Sequence, residues 1–394
     1  MNILIVSPGV YPVPAINGGA VENLIEVLLK SDKITQKHNI SIYTVYDNDA
    51  KKMGKNIQCN FKYIKTKTII YQTLRIIKHI KNHFLKKYTG NQYISKVCKE
   101  IKKNKENYDI IIVENEPQYG LILNKVKQNA KLILHLHNDY LNENIVNARK
   151  MYNVYDEIWT ISKFIGDRVN KLGENFNKVK ILYNGIDTQK LNVNNAEIEE
   201  NRKIYNLEKD DFIFMYAGRL AKEKGIEEVI KAFNNIENEK AKLVIIGGKQ
   251  PGQEKFYKDV LKKIQHNEKI IYIGYVDYAS ISKVYSIADV GVVPSICNEA
   301  FGLTSIEFMF LGKPLIISDQ GALQEVAGIN ARVAIYDKNY IENLKKEMNY
   351  FLELREDKMN KMKVQSKIRA NKYTKEVYVE NFLTLVEKVK NEDK

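Results

Sequence analysis

The strongest constraint on this chain is one pattern that runs through it twice. Short, continuous apolar runs alternate with amphipathic stretches. The alternation breaks once and then resumes. The first set of strand-like runs is Asn2–Ser7, Asn39–Val45, Asp109–Val113, Lys131–Leu136, Glu157–Ile161 and Val179–Tyr183. Helix-like stretches such as Ala20–Lys30 and Ser162–Leu172 lie between them. Residues 187–211 are polar and rich in Asn and Glu, which predicts a linker with a short helix. The second set is Phe212–Ala217, Ala241–Gly247, Ile270–Ile273, Val290–Val293, Pro314–Ser318 and Ala331–Ile335. Strands that are apolar on both faces need cover on both faces, and a helix between successive strands permits parallel pairing. The fold class is therefore α/β, with two doubly wound domains over 1–186 and 187–372 and a last amphipathic helix within 373–394. A chain of 394 residues is long enough for two such cores.

Composition excludes several classes. No apolar run approaches the roughly 18 residues of a membrane span, and MNILIVSPG reads as a first strand with no basic leader. Cys59, Cys98 and Cys297 are odd in number and widely spaced, which fits a reducing cytoplasm. No GxGxxG follows a strand and no GxxxxGK[ST] occurs, so dinucleotide and P-loop chemistry lack their fingerprints. No His/Cys/acid cluster shows metal-ligand spacing, and the expected metal set is none.

In open α/β sheets ligands bind beyond the carboxyl ends of the strands, so the turns that follow strands carry the argument. Gly18-Gly19 precedes a helix and reads either as a close backbone approach to an anion or as a flexible loop. Arg219 and Lys224 lie in GRLAKEKG, a phosphate fork plus a point charge or else a solvated basic turn. The turn Gly274–Asp277, with Val276 in it, offers backbone groups to a flat polar edge or is a plain loop. The stretch EAFGLTSIE then places Glu299 in a loop and Glu307 about one turn into a helix. The two acids sit eight apart and suit two ends of a long ligand better than an acid/base dyad. Between them, the amides of Ala300, Phe301, Gly302, Leu303 and Thr304 surround a helix start that can seat an anion. Glu307 also reads as a buried acid with a basic partner. In LILHLHND, strand alternation is read as sending one of His135 and His137 to the core and the other to the site, and His137 is preferred.

Taken in order, NGGAVENL, LHLHND, ILYNGID, AGRLAKEKG, the GYVD turn, ADVGVVPS, the Glu299–Glu307 pair and GKPLIISDQGALQEV resemble the retaining glycosyltransferases of family four, nearly end to end. The resemblance implies the GT-B fold, two Rossmann-like domains facing each other across a cleft, with the final helix crossing back to the first. It implies a UDP- or GDP-linked sugar donor on the second domain and a glycan or lipid-linked acceptor on the first. Arg219 and Lys224 would hold the donor phosphates, Glu299 the sugar hydroxyls and Glu307 the ribose. Gly18-Gly19 would close on the phosphate and His137 would approach the sugar, so His137, Glu299, Arg219 and Lys224 are the expected catalytic set. No cofactor or metal is implied. The run Phe308-Met309-Phe310 departs from the small residues usual after the second Glu and predicts altered packing behind the site. A nucleotide-sugar epimerase or a non-transferring binder of the same fold is the alternative reading.

The net charge of +14 is local. Residues 62–105 hold thirteen Lys or Arg against one acid, Glu100. Within them, Ile70–Tyr88 reads as an amphipathic basic helix, with Arg75, Lys78, Lys86 and Lys87 on or beside its polar face. It predicts contact with an anionic membrane at the inner face, or else a surface helix packed on its domain. Nucleic acid is the weaker partner because no nucleic-acid motif accompanies the charge.

Overall fold

The computed structural model describes residues 1–16, 18–84, 88–191, 193–277 and 280–391. The chain divides into two compact units, residues 1–185 with 376–394, and residues 186–375.

In the first unit seven parallel strands form one sheet. They are β1 (Asn2–Val6), β2 (Asn39–Val45), β3 (Asn60–Ile64), β4 (Ile110–Glu114), β5 (Lys131–Leu136), β6 (Glu157–Thr160) and β7 (Val179–Ile181), in the order β3-β2-β1-β4-β5-β6-β7. Strands β1, β4 and β5 are buried almost throughout, as helices on both faces require. Strand β3 has no counterpart among the apolar runs of the sequence. Its residues, NFKYI, mix polar and apolar types and are only half-buried, because β3 is the edge of the sheet. The last helix, Lys375–Asn391, packs in this unit. Phe382 meets the fully buried Trp159 edge-on, with ring centroids 5.7 Å apart.

The second unit holds six parallel strands: β8 (Phe212–Ala217), β9 (Ala241–Ile246), β10 (Ile270–Gly274), β11 (Val290–Val293), β12 (Leu315–Ser318) and β13 (Arg332–Ala334). Their order is β10-β9-β8-β11-β12-β13. The linker contains a helix, Asn195–Ile204, closed by a capping box between Asn194 and Glu197. The helix Glu356–Ala370 is not signalled by the sequence pattern. It has no clean apolar stripe, and Val364 and Ile368 face outward. Phe308 lies flat on Tyr285, with centroids 4.5 Å apart, and its ring fills the space above Gly291. A Cβ at Gly291 would stand 2.6 Å from that ring, so the bulky FMF run is accommodated in the core by a missing side chain.

Both sheets reverse strand order once, between β1 and β4 in the first unit and between β8 and β11 in the second. Loops leaving the two reversal strands diverge to opposite faces and open a crevice there.

Candidate functional site

In the second unit the crevice is lined by the loops after β8 and β11. The β8 loop runs from Gly218 through a 3-10 turn, Lys222–Lys224, to Gly225. Gly225 has φ +71°, and a Cβ there would sit 1.9 Å from the Pro294 carbonyl oxygen. Only glycine lets this turn lie against the β11 loop, and that approach brings Lys224 to Glu299. Lys224 Nζ lies 2.5 Å from Glu299 Oε1, and the Ser295 hydroxyl donates to the same oxygen at 2.5 Å. The pair is partly open to solvent, with side-chain exposures of 22% and 16%.

The backbone around Glu299 is fixed from three sides. Glu299 bridges Gly321, and its carbonyl accepts from the Ala322 amide at 2.8 Å. The Ser318 hydroxyl donates to the Ser295 carbonyl at 2.6 Å, and Tyr340 donates to the Pro294 carbonyl at 2.9 Å. Arg219 is exposed at the end of β8 and donates to the Gln250 side chain. Glu223 faces the other way. A 3.0 Å hydrogen bond from the Gln253 amide is the first reason its carboxyl lies below the usual range.

Gly302 starts the helix Leu303–Phe310 without any side-chain cap, which leaves the first-turn amides to whatever sits at that end. Glu307 is buried on this helix, while Glu299 is held in the loop by Lys224. The structure therefore joins Lys224 with Glu299 and gives the two glutamates separate places. Val276 is half-buried in the loop after β10, two strands from the reversal, beside an exposed Tyr275.

In the first unit Gly19 opens the helix Ala20–Leu29, with Gly18 preceding it and Glu22 buried in its first turn. Two expectations fail here. His135 and His137 do not point to opposite sides. Residues two apart on a strand share a face, and their rings stand 4.1 Å apart. Both meet Glu114, the last residue of β4, with His137 Nε2 2.8 Å and His135 Nδ1 3.1 Å from Oε2. This is a buried Glu–His–His cluster with ligand-like spacing, where linear spacing predicted none. Sequence reasoning missed Glu114 because its partners are supplied by the β4–β5 register, which sets Glu114 opposite His135. A carboxylate ending the apolar run IIIVE was the available signal.

Burial alone would raise the Glu114 carboxyl, but the two imidazoles outweigh it and hold it at about 2. Burial, then the neighbouring His135, depresses His137 to about 4. At neutral pH His137 is thus a neutral ring beside a carboxylate. The His137 amide donates to Asn115 Oδ1 at 3.0 Å, which anchors the turn after β5.

The basic helix forms over Ile69–Phe84, but its orientation reverses the packed arrangement. Tyr71 is buried, Lys78 reaches the Ser95 hydroxyl, and Asn82 donates to the Gly90 carbonyl. Ile69, Ile70, Leu74, Ile76, Ile77 and Ile80 all face outward. Arg75 is exposed among them, whereas Lys78 is turned inward and does not serve the outer face. Lys86 and Lys87 lie outside the described residues. Among the described residues, no helix is long and apolar enough to cross a membrane.

Comparison with known proteins fits this geometry. Residues 36–190 match the model for Glycosyltransferase Family 4, and residues 197–369 match that for Glycosyl transferases group 1. An uncharacterized glycosyltransferase of Methanocaldococcus jannaschii is 30% identical over 49% of this chain, and the match spans about half of that protein, 51%. Spore coat protein SA of Bacillus subtilis is 24% identical over 83% of each chain. A lipopolysaccharide 1,2-N-acetylglucosaminetransferase of Salmonella typhimurium is 27% identical over 55% of this chain and 56% of its own. A crystal structure of Anabaena HepE with UDP and glucose superposes with a TM-score of 0.73 at 16% identity, over 98% of this chain and 100% of that one. The chain belongs to the family-four glycosyltransferases of GT-B fold.

Proposed function

We propose that this enzyme transfers a sugar, with retention, from a UDP- or GDP-linked donor to a glycan or lipid-linked acceptor in cell-surface polysaccharide or glycolipid synthesis. The observation that carries the reading is the Lys224–Glu299–Ser295 contact at the reversal of the second sheet, with Arg219 exposed beside it. A donor diphosphate brings a competing anion. It draws the Lys224 ammonium away from Glu299 and takes the Arg219 fork. Glu299 then has a free carboxylate for the sugar hydroxyls, and Ser295 keeps it aimed. The amides of Phe301 to Thr304 add helix-end stabilisation to the departing phosphate, and Glu307 takes the ribose. These groups supply the charge a metal would bring, so the donor chemistry is read as metal-independent. The HepE complex, which holds UDP, supports a uridine nucleotide as the first donor to try.

Calorimetry with UDP- and GDP-sugars tests the donor. Binding of at least one, lost on Arg219→Ala, is the expected result. No binding by any of them overturns the reading, and an inverted anomeric product in NMR overturns retention.

The outward isoleucine row, with Arg75 among it, supports an acceptor presented at an anionic lipid surface and, with it, a site of action at the inner membrane face. Full-length protein should sediment with anionic vesicles, much less with neutral ones, and lose this on Ile76→Glu/Ile77→Glu. Equal binding to both vesicle types, or no effect of the double variant, defeats the membrane role.

A further inference from the structure

We infer that Glu114, His135 and His137 form a binding site for one divalent metal ion of the zinc class. This goes beyond the donor site, and it gives His137, which the family resemblance sets near the sugar, to the ion instead. His135 and His137 are two apart on β5, so strand geometry puts both imidazoles on one side. Glu114 ends the neighbouring strand directly opposite His135. The cluster presents two ring nitrogens and a carboxylate oxygen, the mixed set that zinc accepts in three-ligand sites.

The spacing suits an ion. A tetrahedral ion about 2.1 Å from each donor holds the donors about 3.4 Å apart. Glu114 Oε2 stands 2.8 Å from His137 Nε2 and 3.1 Å from His135 Nδ1, so the donors part by about 0.6 and about 0.3 Å to admit it. The second observation is a set of unpartnered polar atoms. His135 is fully buried; its Nδ1 faces the Glu114 carboxylate outside good hydrogen-bond geometry, and its Nε2 has no partner. A neutral imidazole carries one N–H and one lone pair, and burying one of them without a partner costs about 1–3 kcal/mol. Glu114 Oε1 is also buried without a partner. An ion takes the His135 Nδ1 lone pair and neutralises a carboxylate whose ion-pair partners among the described residues are these two rings. Asn184 is buried against His137, with its side chain within hydrogen-bonding reach of the ring. Such an ion ties the ends of β4 and β5 together and fixes the turn that begins at His137.

The test uses the full chain without an affinity tag, loaded with Zn²⁺ or Co²⁺, desalted and analysed for metal. About one ion per chain is expected, with a cobalt spectrum of nitrogen and oxygen ligation and no thiolate charge-transfer band. Glu114→Gln and His135→Gln should each lower the bound metal at least tenfold while keeping the wild-type circular dichroism. Failure of the wild-type chain to retain metal overturns the proposal. So does undiminished binding in the folded variants, or a thiolate band that places cobalt on a cysteine. If the variants do not fold, the wild-type cobalt spectrum decides alone. Chelation should also lower the wild-type Tm, and an unchanged Tm counts against the site.

Discussion

Glu114 and Glu299 occupy corresponding places in the two units. Each lies at or just beyond the carboxyl end of the strand that reverses its sheet, β4 in one and β11 in the other. Each meets a nitrogen base at hydrogen-bond distance. What separates them is access. Glu114 is 1% exposed and bound to imidazoles, whereas Glu299 is 16% exposed and bound to a lysine on a glycine-hinged turn. A partly open pair costs little to separate. A sealed one costs several kcal/mol, because the charge left behind has no water. The same topological position therefore suits exchange of partners with an incoming phosphate in one unit and permanent internal ligation in the other.

The largest effect should come from breaking the open pair on its cationic side. Lys224→Ala should lower kcat/KM on the order of 10²–10³-fold, as loss of a preorganised charge at a leaving group does. Its unfolding free energy should move by less than about 1 kcal/mol. Glu114→Ala should do the opposite, costing about 3–5 kcal/mol of stability by urea denaturation. Equal stability losses in the two variants would erase the distinction drawn above.

Partner exchange itself is sharpened by Glu299→Gln. The amide cannot hold Lys224 as the carboxylate does, so UDP affinity should be kept or rise slightly while transfer falls by about 100-fold. Parallel losses of UDP affinity and transfer would mean that Glu299 only props Lys224 in place.

How much of this is legible in the sequence follows the range of the signal. Turns after strands can be read because a continuous apolar run names the strand and the next glycine names its end. GRLAKEKG and EAFGLTSIE both lie where that logic puts them. Edge strand β3 and the helix Glu356–Ala370 escape it, since neither is apolar enough to show a period. The division of the two histidines between core and site is an error of parity. Positions 135 and 137 differ by two, and an even interval on a strand means one shared face. Glu114 is out of reach for a different reason. Its partner stands 21 positions away, and only strand order brings β4 beside β5. The helix at 69–84 shows in its period, but a period cannot say which face turns inward, and Lys78 with Asn82 takes that side.

The smallest effect concerns a partly buried charge, Lys313, which follows the helix carrying Glu307. Its ammonium donates to the Ser286 carbonyl at 2.7 Å. Burial lowers its pKa from 10.5 to about 8, with Asp289 opposing the shift and Lys363, Arg202 and Lys367 adding to it. The folded state thus gives up this proton before the unfolded chain does. Below pH 8 both states hold the proton and the burial penalty is fully present. Between pH 8 and 10.5 the unfolded chain binds more protons, so stability rises with pH. The gain is at most about 1.4 kcal/mol per pH unit. Urea midpoints collected above pH 8 should show this slope in the wild type and lose it in Lys313→Met. An unchanged slope in Lys313→Met would mean that another group sets it.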